Sequence, residues 1–218
     1  MDIELEKEIP EKFIAIRDKA RFAATEARNN FELAKQAEIL ALEAKERGLN
    51  GEPGYKVTAF KCEMVNGVAK DYTYYGQWGK NTPHGYGVLD ASVTNKGYYA
   101  GQFRHGYFQG YGVYHFDIAS KSLKYSGSFW RDLWHGYGIY EWKNGSLCTG
   151  QMKQHEIKGY SVFTRPNGYL FEGYRGSMKE NRYGQNLFDK TGIEWDATIK
   201  QFSIGEWVND VFTTIKKY

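Results

Sequence analysis

Five histidines, two cysteines and one close pair of carboxylates are the side chains of this sequence best suited to catalysis or metal binding. The histidines, His84, His105, His115, His135 and His155, are spread over 72 residues with no HxxxH spacing and no clustering of cysteine with histidine. A structural or catalytic zinc needs three or four such ligands converging, so the pattern predicts no metal. Cys62 and Cys148 stand apart without a CxxC motif, which suits buried free thiols in a reducing compartment. Glu194 and Asp196 lie two residues apart with no further acid or pocket signal behind them, a poor basis for general acid and base work. Neither a GxSxG elbow, a phosphate loop nor a dinucleotide fingerprint is present. The expectation is a chain that is not an enzyme, with no catalytic residue and no cofactor.

What the residues do show is a repeat. Glycines at Gly76, Gly101, Gly127, Gly150 and Gly173 recur every 23 to 26 residues, and in the first four copies another follows nine later, at Gly85, Gly110, Gly136 and Gly159. A fixed period of this size marks an array of stacked units. In each unit a first strand sets an aromatic, a glycine and an apolar residue two apart, hence on one face: Tyr74, Gly76, Trp78; Tyr99, Gly101, Phe103; Tyr125, Gly127, Phe129. A second strand then carries a tyrosine between two glycines, at Tyr86, Tyr111 and Tyr137. Glycine weakens a strand, so its regular use implies clearance for large rings. A lone hairpin is marginal in water, and the units must stack to bury their aromatics. The composition agrees, with 25 Gly, 18 Tyr, 4 Pro and 41% hydrophobic residues in 218.

These motifs resemble MORN repeats. The tract from Tyr125 to Gly145 reads as a family consensus unit, Tyr99 to Phe116 is close to one, and the resemblance covers residues 74–184. It implies stacked antiparallel β-hairpins in an elongated, twisted sheet, a mainly β fold with one long N-terminal helix. The later copies depart from the pattern. Cys148 and Ser161 replace an aromatic and a glycine, Arg175 and Arg182 occupy packing positions, and the sixth copy keeps only Trp195 and Trp207, with Ala197, Glu206 and Val208 at the glycine places. Such decay suits a terminal cap, and residues 55–68 read as a matching strand pair at the other end.

Residues 11–47 form the helix. Phe13, Ile16, Ala20, Ala23, Ala27, Phe31, Ala34, Ala37, Ala41 and Ala44 recur at alternating spacings of three and four, after Pro10 and before Gly48. At 1.5 Å per residue the helix would run about 55 Å. Its small-residue seam demands a partner surface, either another subunit or the chain's own repeats. Residues 1–47 are thus an arm and helix, 48–54 a linker, and 55–218 the array. Ile3 and Leu5 alternate with acids, without the basic start and apolar run of a signal peptide, and no segment reaches the length of a membrane span. Residues 1–54 carry 9 Lys and Arg against 12 Asp and Glu, the remainder 20 against 14.

The functional expectation is a non-catalytic scaffold in a large intracellular assembly. An aromatic groove lined by Tyr74, Trp78, Tyr86, Tyr99, Phe103, Tyr111, Tyr125, Phe129 and Tyr137 would take partner protein, as a helix or an extended peptide. The helix face of Phe13, Ile16, Ala20, Ala27, Phe31 and Ala34 would meet another subunit. Resemblance to the family implies a cytoskeletal, ciliary or axonemal setting, with a mitochondrial complex as the alternative; no nucleic-acid partner is indicated. A second reading is phospholipid binding. Lys80, Arg104, Arg131, Lys153, Arg175 and Lys200 follow the repeat register and could form a basic ladder, although Asp132, Glu156 and Glu180 dilute it.

Overall fold

The computed structural model describes residues 9–63, 69–91, 97–180, 186–209 and 211–217. One helix, α1 (Glu11–Leu49), precedes thirteen strands: β1 (Tyr55–Glu63), β2 (Ala69–Gly79), β3 (Thr82–Asp90), β4 (Tyr98–Arg104), β5 (Tyr107–His115), β6 (Ser122–Trp130), β7 (Leu133–Trp142), β8 (Leu147–Lys153), β9 (Glu156–Thr164), β10 (Leu170–Glu180), β11 (Asn186–Asp196), β12 (Gln201–Val208) and β13 (Val211–Lys217). The strands form a single open antiparallel sheet in sequence order. The chain divides into two compact units, Met1–Arg28, Tyr137–Ile139 and Asn144–Tyr218 in one, Asn29–Gly136 and Tyr140–Lys143 in the other. The alternating arm at Ile3 and Leu5 and the packing position given to Arg182 lie outside the described residues.

Helix α1 starts where Pro10 places its carbonyl to accept the amides of Phe13 and Ile14, and it carries Glu11 in its first turn and Arg47 in its last, matching the macrodipole. It runs to Leu49, one residue beyond the expected stop at Gly48. That glycine is a helical residue at a close approach, since a Cβ there would sit 3.2 Å from the carbonyl oxygen of Lys56. The reversal comes at Gly51, with φ at 72°, and the Glu52 amide donates to the Arg47 carbonyl. In place of the expected strand pair at 55–68, β1 is one strand paired along β2.

The register explains the glycines. In the second unit Gly76, Gly87, Gly101, Gly112 and Gly127 are successive cross-strand partners, a row running across five strands. In the first unit the row is Gly150, Ser161, Gly173, Gly192 and Gly205. The sixth copy is therefore better kept than expected: its glycine is Gly205, two before Trp207, and Glu206 lies between them. A ring lies over this row. A Cβ on Gly112 would stand 2.5 to 2.7 Å from Oη, Cε2 and Cζ of Tyr99, and one on Gly87 would meet the same three atoms of Tyr74.

The first glycine of each second-strand pair serves another purpose. Just past the row the register slips: Gly101 faces Gly112 but Phe103 faces Phe108, so residues 109–111 bulge out of the ladder. Gly110 takes φ of 73° inside that bulge, in the left-handed region where a side chain is strained.

The two sheet faces are filled differently. On the ring face of the second unit, Tyr74, Tyr99, Phe103, Tyr125 and Phe129 are buried and meet edge to face, with Tyr74 on Phe103 at 5.1 Å, Tyr99 on Phe129 at 4.9 Å and Tyr125 on Phe129 at 5.3 Å. On the opposite face α1 packs through its alanines, with Ala41 against Val88 and Ala100. In the first unit Phe13 and Ile9 pack on Ile193, Phe202 and Ile204, and Tyr169, Phe171 and Trp207 form a separate cluster. Arg21 clamps the helix there, its Nε and a terminal nitrogen donating to the two carboxylate oxygens of Glu172 at 2.7 and 2.9 Å.

Candidate binding surfaces

The residues expected to line one groove occupy two faces. Tyr74, Tyr99, Phe103, Tyr125 and Phe129 are core, none more than 4% exposed, and Trp78 is half-buried beside Tyr74. Each tyrosine hydroxyl turns back on its own strand and donates to the carbonyl three residues on: Tyr74 to Gln77 at 2.6 Å, Tyr99 to Gln102 at 2.9 Å, Tyr125 to Ser128 at 3.0 Å. Burial pushes these phenols well above the usual tyrosine range. Tyr86 and Tyr111, between the paired glycines, point to the opposite face by strand alternation, and Tyr86 packs against the Ala41 cluster. Tyr137 lies in the other unit, half-buried, its hydroxyl accepting from Gln151. These nine residues therefore do not line one continuous face. Closing the array requires these rings as core, and of the five buried ones Phe103 alone, with Tyr86, borders the groove between the first two tips described below.

The helix seam is covered as well. Phe13, Ala20, Ala27 and Ala34 are buried within the chain, while Ile16 and Phe31 are partly buried, Ile16 against the Phe13 cluster and Phe31 under Lys124. The chain's own sheet supplies the surface that the seam needs, because Ala100 and Ser126 stand at the middle position of the Tyr-x-Gly motif and are small enough for close approach.

A glutamine ladder was not foreseen. The bulge leaves the amide of the flanked tyrosine outside the ladder, and Gln77, Gln102 and Gln151 each accept it on Oε1, from Tyr86, Tyr111 and Tyr160 at 2.6, 2.9 and 2.8 Å. Gln102 Nε2 also donates to the Tyr86 hydroxyl at 3.2 Å, tying one repeat to the one before. The sequence signal was there, as a glutamine directly after the first-strand glycine in YGQW, AGQF and TGQM.

The hairpin tips of the second unit remain open to a partner. Each is a two-residue reversal with positive φ, at Lys80 and Asn81, His105 and Gly106, and Arg131 and Asp132. Lys80, Arg104 and Arg131 are exposed there, with Tyr107 at 50% and Trp130 at 49%. Asp132, the one carboxylate among residues 79–84, 104–109 and 130–135, turns inward and accepts the Phe108 amide at 2.7 Å; burial pushes its carboxyl up. Between the first two tips lies a groove of about 440 Å³ lined by His84, His105, Arg104, Gln109 and Phe103 among others. His84 meets His105, ring to ring at 5.6 Å, rather than its register mate His135, which lies against Trp130.

The rest of the basic ladder is not continuous. Lys153 is exposed at a tip of the first unit, but Arg175 is 8% exposed with its guanidinium over the Phe163 ring, and Lys200 sits in the turn at the other strand ends, between β11 and β12. Glu194 and Asp196 are separated in role too. Glu194 accepts from the Tyr169 hydroxyl at 2.5 Å and Lys190 at 3.2 Å, and Asp196 accepts the Thr198 amide. Cys148 is buried, and that burial pushes its thiol up, away from reactivity. Among the described residues no three His, Cys, Asp or Glu side chains cluster as metal ligands, and no helix is long and apolar enough to cross a membrane.

Comparison with known proteins meets the same repeats. The MORN repeat family matches residues 74–92, 99–118 and 125–147. The chain is 32% identical to alsin of Rattus norvegicus over 145 residues and to that of Mus musculus over 142, and 31% identical to that of Homo sapiens over 142, in each case 65% of this chain. It spans about 7% of the length of these relatives. The three consecutive family matches fall on the hairpins β2–β3, β4–β5 and β6–β7, so this part of the chain, behind its N-terminal helix, consists of MORN repeats.

Proposed function

We propose that this chain is a non-catalytic scaffold subunit that holds a partner protein along the hairpin-tip edge of residues 79–84, 104–109 and 130–135. MORN repeats mediate protein or lipid binding, and the observation that carries the protein reading is the composition of that edge. Three exposed cations and two half-exposed rings stand together, while the only acid nearby is turned inward. Tyr and Trp rings beside Arg are typical of interface anchors. The assembly we propose is a large intracellular one, cytoskeletal or ciliary by family resemblance. Affinity isolation of the native full chain should recover partners in stoichiometric amount, and Lys80→Glu, Arg104→Glu, Arg131→Glu together should release them with the fold intact by circular dichroism. Unchanged recovery with that triple variant would overturn the reading.

The same edge supports a second reading, a membrane surface, because Tyr107 and Trp130 beside Lys and Arg also suit a lipid headgroup layer. Flotation with anionic vesicles, lost at high salt and in the triple variant, would favour it; failure to float at low salt would remove it.

A further inference from the structure

We infer that a second copy of this chain docks on the solvent face of α1, helix against helix and antiparallel. Within the second unit Ala34, Ala37, Ala41 and Ala44 are buried on the sheet side. The outward side of the same stretch mixes charged side chains with large aliphatic ones. Leu33, Ile39, Leu40, Leu42 and Leu49 are all exposed, Ile39 and Leu49 at 53%. A single exposed leucine is ordinary, but Ile39, Leu42 and Leu49 stand on one side of the helix at 100° per residue, with Leu33 and Leu40 on another, and three large aliphatics aligned on one side call for cover.

The pattern of that patch selects its occupant. At 100° per residue Lys35, Ile39, Leu42, Glu46 and Leu49 fall within an arc of about 80° opposite the alanine stripe. Lys35, Ile39, Leu42 and Glu46 are disposed symmetrically about the point between Leu40 and Ala41. Two helices related by a two-fold axis through that point set Ile39 against the partner's Leu42 and Lys35 against the partner's Glu46, and the same contacts recur in reverse. A parallel pairing would instead oppose Lys35 to its own copy and Glu46 to its own copy. Lys35 is loosely held, because its ion pair with Glu32 is exposed and long at 3.5 Å and its Nζ stands 5.4 Å from the centre of the Phe31 ring. The neighbouring cations are engaged elsewhere: Arg47 donates to Glu52 at 2.7 Å, and Lys45 lies over the Tyr75 ring. The face is self-complementary in both shape class and charge.

Sedimentation velocity of the full chain over the micromolar range and above should show a monomer–dimer equilibrium. Lys35→Glu or Glu46→Lys alone places two like-charge contacts in the dimer and should raise the dissociation constant about tenfold or more. The double variant Lys35→Glu, Glu46→Lys should restore it, and the two single variants mixed should associate with each other, because both contacts are then opposite in sign. Ile39→Glu should leave a folded monomer, as judged by circular dichroism, since the side chain is exposed. A wild-type chain that stays monomeric overturns the proposal, including the case where this face takes a helix from another protein. A dimer indifferent to Lys35→Glu and Glu46→Lys overturns it equally.

Discussion

Gly112→Ala tests the physical reason for the glycine rows. The three atoms nearest to an added Cβ, at 2.5 to 2.7 Å, all belong to the outer end of the Tyr99 ring, which is itself 1% exposed and held between Phe108 and Phe129. The ring has nowhere to go without breaking the hydroxyl bond to the Gln102 carbonyl and the edge contacts of the stack. Overpacking of this kind costs about 3 kcal/mol, or roughly 6–12 °C in Tm for a chain of this size. Tyr99→Leu removes the three obstructing atoms and keeps an apolar side chain; losing ring area and one hydrogen bond, it costs about 2 kcal/mol. If the two effects were independent, the double variant would lose about 5 kcal/mol; the shared clash predicts a loss near that of Tyr99→Leu alone, a coupling of about 3 kcal/mol. Urea unfolding of the wild type and the three variants, followed by tryptophan fluorescence, gives the cycle. A harmless Gly112→Ala, or a strictly additive double variant, would refute clearance as the role of that glycine.

Further outcomes follow from the same geometry. Gln102→Ala leaves the Tyr111 amide in its bulge without an acceptor and should cost about 1–3 kcal/mol, whereas Gln102→Glu keeps the acceptor and should cost less, both read by thermal unfolding. Glu172→Ala, which removes a buried carboxylate held by two bonds from Arg21, should destabilise the first unit by about 2 kcal/mol, reduced from a fully buried pair because Arg21 is 46% exposed. Tyr74, Tyr99 and Tyr125 have folded-state values raised above their unfolded ones, so their contribution is fully present below about pH 10 and is lost as pH rises through the alkaline range, where the unfolded phenols ionise first. Tyr99→Phe should flatten that alkaline slope. Asp132 is also raised by burial, so stability should fall as pH rises through the carboxylate range, and Asp132→Asn, which keeps the acceptor for Phe108, should remove that component of a pH titration of stability.

Much of the fold was legible because its signals are local and periodic. Tyr99, Gly101 and Phe103 announce a strand face by spacing alone, and the alanine stripe from Ala20 to Ala44 announces the helix face that the sheet buries. What escaped depended on cross-strand register. The bulge at residues 109–111 is invisible in a period count, and without it Gln102 reads as an ordinary surface residue and Gly110 as a second clearance glycine. Gly205 was passed over for the same reason: counting from Trp195 places the sixth copy out of step, and pairing with Gly192 corrects it. An aromatic row can be core or recognition surface, and the sequence does not say how tightly successive rings stack. Tyr99 between Phe108 and Phe129 is core. Exposure at Tyr107 and Trp130 follows from their place beside two-residue turns, where no neighbouring hairpin covers them.

The central claim is that partner contact is made at the hairpin tips and not on the ring face, and hydroxyl-radical footprinting of the native assembly tests it most directly. Tyr107 and Trp130, half exposed in the free chain, should label strongly there and become protected in the assembly, while Tyr99 and Tyr125 stay unlabelled in both states. Tips that label equally in the free and assembled chain would contradict the account.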